Sequence, residues 1–324
     1  MKRRTVLTGL VAMPALLLKG AGAMAQAFPT RPLKMVVPFS PGGGADFLAR
    51  AISEALSRRL GQTVIVENKP GGGATIGALA VATAPPDGYT MLYGTPGPQM
   101  VNPHLMDKVP YDPIKDFASI TPLGRFTNVL AVHPGVPAKD INELIAYARA
   151  NPGALNFASA GIGASSHLTG ELFKSLTQID IRHVPYKGTG PATQDLLAGN
   201  VQMAFDSVIV YLPHIKSGGL RPLGVTDPEP SPLLADVPAV ARYLPGFSAS
   251  AENYITTRAG TPREIILRLN HDINEILKTP DMRDKMLAAG IAPTGGTPEQ
   301  LDALIASESD KWQRVIKISG AKAQ

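Results

Sequence analysis

Short apolar runs alternate with amphipathic stretches along most of this chain. Residues 33–37 (LKMVV) read as a buried strand. A turn of Pro41 and three glycines follows. Leu48, Ile52, Leu56 and Leu60 then recur at four-residue spacing, one face of a helix with Asp46 at its start as a candidate N-cap. The unit repeats as a strand over 63–68, a Pro70-Gly71-Gly72-Gly73 turn and a helix over 76–84. A third strand, 90–94, runs into Thr95.

An irregular stretch around Tyr111-Asp112-Pro113 precedes a second series. It predicts strands at 129–133, 155–158, 179–184, 201–205 and 220–226, with helices at 139–150, after the 159–167 turn to 176 and at 191–198. The last third is more helical. Thr261-Pro262-Arg263-Glu264 and Thr297-Pro298-Glu299-Gln300 read as capping boxes that open helices to about 277 and through 316, with Trp312 as packing. Strands alternating with helices predict an α/β fold with mostly parallel sheets. Ligands on such sheets sit at the carboxyl ends of the strands, here at Ser40, Gly42, Gly43, Gly44 and Thr95.

Charge changes the picture once the N-terminus is set aside. Lys2-Arg3-Arg4, an apolar stretch over 5–18 and the small residues Ala25-Gln26-Ala27 predict an export signal cut after Ala27. Arg3-Arg4 leans toward the twin-arginine route, with ordinary secretion left open. The segment carries four basic residues and no acid, so the formal charge of the 324-residue chain falls from +5 to +1. That balance does not point to nucleic acid. There is no cysteine, which excludes disulfides, thiolate metal sites and a cysteine nucleophile.

The glycine turn at 39–46 offers free N–H groups at a helix start to an anion. It lacks the Lys-Ser/Thr of a phosphate loop, and Phe47 breaks G-x-G-x-x-G, so a small carboxylate is the candidate ligand and a plain tight turn the alternative. Gly43 is expected at positive φ. Residues 159–166 repeat the device, and two such loops would pinch one anion between them. Ser165 and Ser166 beside His167 raise a serine hydrolase as a second reading, against which stand the absence of G-x-S-x-G and the divergent directions of adjacent side chains. His167 and His183 are expected to satisfy local backbone groups.

Several motifs, in order along the chain, resemble one family. They include Pro29-x-Arg31-Pro32, Val37-Pro38-Phe39-x-Pro41-Gly42-Gly43-x-x-Asp46, Glu67-Asn68-x-Pro70-Gly71 and Pro86-Asp87-Gly88-Tyr89-Thr90. His183-Val184-Pro185-Tyr186-Lys187-Gly188 and Ala259-Gly260-Thr261-Pro262 continue the match. The chain is similar to the Bug (Bordetella uptake gene) family, the TctC-like receptors of tripartite tricarboxylate transporters. The resemblance implies a type II-like periplasmic-binding-protein clamshell without catalytic role; no cofactor is expected, and the six scattered histidines without H-E-x-x-H speak against a metal. One lobe would be 28–126 plus 224–324 and the other 127–223, with hinges near 123–127 and 223–226. The implied ligand is a small mono-, di- or tricarboxylate or an amino acid, and the implied partner a membrane permease; the receptor itself would be a periplasmic monomer.

The loops matching the family's ligand loops contribute Phe39, Ser40, Gly42, Gly43, Gly44, Asp46, Ser159, Gly161, Gly163, Ala164 and Ser165 as candidate contacts. Thr95 and Asp206 complete the set. Two positions depart from the family: Ala164 stands where a hydroxyl is common, and Glu252-Asn253-Tyr254 replaces the usual Trp-x-Gly. Glu252 is expected either to face the site or, as the plainer reading, to face solvent or pair with a nearby arginine such as Arg258.

Overall fold

The computed structural model describes residues 28–227, 231–247, 249 and 251–319. The expected export signal, with its cut after Ala27, lies outside the described residues. Strands β1 (Leu33–Val37), β2 (Val64–Asn68) and β3 (Thr90–Gly94) alternate with helices α1 (Gly44–Leu60) and α2 (Thr75–Ala82). After the short helix α3 (Asn102–Leu105), the long strand β4 (Phe117–Phe126) leads into β5 (Asn128–Val132). Helix α4 (Ile141–Ala150), β6 (Leu155–Ser159), α5 (Ser165–Thr177), β7 (Ile181–Pro185), α6 (Thr189–Leu197), β8 (Met203–Ser207), α7 (Val208–Lys216) and β9 (Arg221–Val225) follow. The chain ends with β10 (Ala251–Arg258), α8 (Arg263–Lys278), α9 (Pro280–Ala288), β11 (Ile291–Pro293) and α10 (Pro298–Ser319).

Two sheets result, in the orders β11-β4-β10-β3-β1-β2 and β7-β6-β8-β5-β9. The two-lobe α/β plan matches the expectation, but each sheet is mixed where mostly parallel ones were expected. β1 runs parallel to β2 and β3, and β6 parallel to β7 and β8. β10 is antiparallel to β3 and β4, and β5 to β8 and β9. The added antiparallel strands come from segments with weak strand patterns. β4 contains Pro122 and Gly124, and the β4–β10 register shifts next to the Tyr254–Pro122 pair, a bulge that accommodates a residue without an N–H to give. β10 buries polar side chains, Thr256 and Thr257 among them, so its burial is not written in apolar residues.

The chain passes between sheets at Thr127 and again after Val225. The Thr127 hydroxyl donates to Asp227 (2.5 Å), tying the two crossings together. Trp312 is fully buried in the core that spans β5, β6, α5 and α10. The capping box at Thr297 forms: its hydroxyl accepts from Gln300 N–H (3.2 Å), and Gln300 Oε1 accepts from Thr297 N–H (2.8 Å). The one expected at Thr261 does not. Pro262 holds the cap position of α8, and the Thr261 hydroxyl donates instead to Arg258 O (2.7 Å). Among the described residues no helix is long and apolar enough to cross a membrane.

Candidate functional site

Four helices begin around one cavity. Gly43 caps α1, Ala164 caps α5, Gly188 caps α6 and Ser207 caps α7, and none of the four ends carries a side-chain cap. The first-turn N–H groups of a helix have no partner inside it, and its dipole places partial positive charge there. Ala164 makes this explicit, since a hydroxyl at that position would take one of those donors for itself. Residues from all four ends line the cavity: Gly43 and Gly44, Ala164 and Ser165, Thr189, and Ser207.

The wall also holds Phe39, Thr95, Phe126 and Asn128, and its volume is about 60 Å³. A water needs roughly 10–15 Å³ of such space, so a carboxylate fits with little to spare. Three buried polar atoms lining it have no partner: Thr95 Oγ1, Asn128 Nδ2 and Ser207 Oγ. Unmade hydrogen bonds of this kind cost about 1–3 kcal/mol each. A larger cavity of about 620 Å³ adjoins the first, sharing Phe39 and Ala160, with Lys108 and Lys187 on its wall.

The two sheets meet closely here. Ser40 N–H and Oγ both donate to Lys187 O, at 3.0 and 2.6 Å. A Cβ on Gly44 would lie 2.8 Å from Ser207 Oγ, and one on Gly73 would lie 2.5 Å from Ile162 O. Only glycine leaves room for so close an approach at these two positions. The left-handed position in the first loop is Gly42 (φ +91°), not Gly43, whose φ of −91° any residue adopts.

The candidate residues thus separate by position. Phe39, Gly43, Gly44, Thr95, Ala164, Ser165 and Asp206 line the smaller cavity, and Gly161 lines the larger. Ser40, Gly42, Asp46, Ser159 and Gly163 line neither cavity. Asp46 is not the cap of α1 but sits in its first turn. Its carboxylate accepts from Gly42 N–H (3.1 Å), Arg50 Nε (3.0 Å) and Asn68 Nδ2 (2.9 Å). Burial pushes that carboxyl up, but these bonds hold it below its ordinary value. Gly163 N–H donates to His167 Nδ1 (3.1 Å).

Asp206 is the acid that faces the cavity. It accepts from Ser207 N–H (2.7 Å), from Thr189 Oγ1 (2.9 and 3.0 Å to its two oxygens) and from the Ser166 hydroxyl. Burial pushes its carboxyl up to about 6. Thr189, Asn128 and Ser207 escaped the sequence reading. Thr189 carried a usable signal, since Gly188-Thr189-Gly190 is a third small-residue turn feeding a helix; the strand-end residues Asn128 and Ser207 carried none.

The residues that suggested a hydrolase are occupied otherwise. Ser166 Oγ accepts from Ala160 N–H (2.9 Å), and His167 spends Nδ1 on Gly163 while stacking on His183 at 4.0 Å between ring centroids. His183 Nε2 pairs with the Ser159 hydroxyl (2.6 Å), a side-chain partner where a backbone one was expected. Burial holds His167 down at about 4 and, with His167 and Lys174 nearby, His183 at about 3, so both rings are neutral. Glu252 does not line the cavity and follows the plainer reading, with an arginine other than Arg258 as its partner. It is buried and pairs with Arg125 (2.6 Å), while Arg258 pairs with Asp116 (2.8 Å).

Comparison with known proteins agrees with this geometry. The tripartite tricarboxylate transporter family receptor, TctC, matches residues 48–321. Protein BugT of Bordetella pertussis is 36% identical over 322 residues, covering 98% of this chain and 99% of BugT. The structure of an R. palustris protein with adipate matches at a TM-score of 0.89 and 35% identity, over 91% of this chain and 99% of that one. MatC from Rhodopseudomonas palustris with bound malate matches at 0.85 and 33%, over 89% and 100%. With cleft, loops and full-length similarity in agreement, the chain belongs to the TctC-like receptor family of tripartite tricarboxylate transporters, together with the Bug proteins.

Proposed function

We propose that this protein is a periplasmic receptor that closes two lobes, 28–126 with 224–324 and 127–223, around the carboxylate of a small organic solute. It then delivers that solute to a permease of the tripartite tricarboxylate type. The convergence of four uncapped helix N-termini on three unpartnered polar side chains carries the reading. A charge-assisted hydrogen bond contributes about 1.5–3 kcal/mol. Three or four of them supply the roughly 8 kcal/mol of micromolar affinity, provided that closure keeps water out. The smaller cavity holds the carboxylate and the larger one the rest of a longer molecule, such as the adipate and malate bound by the structural neighbours. The engagement of Ser166 and His167 with other partners supports a receptor without catalysis.

Calorimetry of the exported protein with acetate, succinate, malate, adipate and glutamate tests the proposal. Saturable binding of at least one, without turnover, is expected. No heat with any of them at millimolar concentration overturns it. Intact mass of the periplasmic protein should place its first residue at Phe28.

A further inference from the structure

An acid in the wall of an anion cavity is a conflict that this site must resolve. Asp206 is buried in that wall, and among the described residues no cation pairs with it. A solute carboxylate would enter the same small space, supported by the same helix ends. Two adjacent anions do not both stay ionised cheaply in such a site, and one then holds a proton.

The hydrogen bonds around Asp206 decide where the positive charge can come from. A carboxylate has about four lone-pair sites. Ser207 N–H, the Ser166 hydroxyl and the shared Thr189 hydroxyl occupy both oxygens, which leaves little room for a solute ammonium. A proton fits instead. Thr189 Oγ1 lies almost equally far from the two oxygens, so a protonated Asp206 can donate to it along the existing contact. The Thr189 hydrogen is thereby released from Asp206, and Thr189 lines the cavity.

Resting on the carboxylate-receptor reading above, we propose that solute capture is coupled to uptake of one proton from water, held by Asp206 against Thr189 Oγ1. In the empty receptor Thr189 donates to Asp206. In the loaded receptor Asp206 O–H donates to Thr189, and Thr189 turns its own hydrogen to the solute carboxylate. The only bond formed is the O–H of Asp206, and solute and acid together carry one negative charge fewer. The position of the carboxyl near 6 means that the empty site is mostly ionised at neutral pH, so a proton is available to be gained.

Other titratable groups around Asp206 do not account for such uptake. Tyr211 faces it from α7, and burial pushes that phenol well above its ordinary value, already protonated. From α5, Ser166 is the facing residue, and its neighbour His167 is held at about 4. On α6, Asp195 is turned to Tyr186 and Asn200. β5 and β6 carry no ionisable residue.

The test is calorimetry with adipate and malate between pH 6.5 and 8.5, where both probes are fully ionised, in HEPES and in Tris. The two buffers differ in ionisation enthalpy, so the difference in heat counts protons. The wild type should take up close to one proton per solute, and its affinity should fall about tenfold per pH unit. In Asp206→Asn the amide donates permanently to Thr189, mimicking the protonated acid. Proton uptake should vanish, affinity should no longer depend on pH, and binding at pH 8 should be at least tenfold tighter than wild type. Saturable wild-type binding without buffer dependence overturns the proton coupling and leaves the receptor intact. Equal pH slopes in wild type and variant also overturn it. If the variant fails to fold, the wild-type proton count alone decides. If neither these probes nor the other carboxylates bind, the receptor reading falls and this inference with it.

Discussion

Asp46 and Asp206 are both buried acids beside helix starts, one on each side of the cleft, yet they have opposite chemistry. Asp46 lies four residues before Arg50 on the same helix and takes up that cation together with Asn68 and the Gly42 N–H. Its charge is balanced, it lines neither cavity, and it fixes the shape of the first loop. Asp206 has only hydroxyl and N–H partners, faces the cavity and is pushed up by burial. The same residue type therefore serves as a brace in one lobe and as an unbalanced charge in the other. A nearby cation makes the difference.

The largest expected effect comes from forcing the two sides apart. Gly44→Val would place a branched side chain against Ser207 Oγ and Phe126 Cε1, where even a Cβ would lie at 2.8 and 2.9 Å. Closure is then blocked, and binding of a confirmed carboxylate should fall at least a hundredfold while the fold persists. Small-angle scattering should show compaction with solute in the wild type and none in the variant. A variant that still compacts would separate the glycine from closure.

Removing the brace should cost stability before it costs specificity. Asp46→Ala leaves Gly42 N–H and Asn68 Nδ2 without this acceptor and ends the pair with Arg50. That guanidinium is half-exposed and recovers water, so the expected loss is about 2–3 kcal/mol in denaturant unfolding. Asp46→Asn keeps an acceptor for Gly42 and should lose about 1 kcal/mol. Equal losses would mean that charge alone braces the loop.

The unbalanced acid should show in the pH dependence of the empty protein. The folded carboxyl of Asp206 lies near 6, above its unfolded value, so the native state holds more protons than the unfolded state between about 4 and 6. Stability on this account is present at low pH and is lost as pH rises through 6. His167 and His183 act in the opposite sense, because rings held at about 4 and 3 oppose folding as pH falls below about 6.5. Comparing wild type with Asp206→Asn at each pH cancels the histidines. The wild type should gain about 1–2 kcal/mol on the variant from pH 7.5 to pH 5. A constant difference would put Asp206 in balance after all.

The contrast between the acids also bounds what the sequence disclosed. Both parallel strand–glycine–helix series were readable because apolar runs, glycine turns and four-residue spacing coincide at β1 with α1 and at β6 with α5. β4 and β10 were not, because Pro122, Gly124 and the buried threonines of β10 conceal strands whose pairing is decided by distant partners. In the site, glycine turns flag helix ends, so Gly43, Gly44 and Ala164 could be named. Thr95 followed from the rule of strand ends. Asn128 and Ser207 could not, since orphaned polar atoms exist only once both sheets are in place. The roles of the two acids depended on whether a cation reached them, and for Asp206 that is a tertiary fact.

Glu252 supplies the smallest effect and the cleanest control. Successive side chains of a strand point to opposite faces. Asn253 lines the cavity, and Glu252 does not. Its surroundings are Arg125, with Glu308 and Lys311 of α10 also acting on it. Burial raises its carboxyl above the ordinary value even with Arg125 at 2.6 Å, so the pair relieves a buried charge more than it stabilises the fold. Glu252→Gln removes that charge and keeps an acceptor for Arg125. Stability should therefore change by no more than about 0.5 kcal/mol near neutral pH. The ratio of affinities for a dicarboxylate and an amino acid of similar length should stay within about threefold of wild type, whereas a carboxylate facing the solute at ~4 Å would shift it by about 4 kcal/mol, roughly a thousandfold. A shift of that size by calorimetry would move the selective charge from Asp206 to Glu252 and undo the distinction between wall and brace.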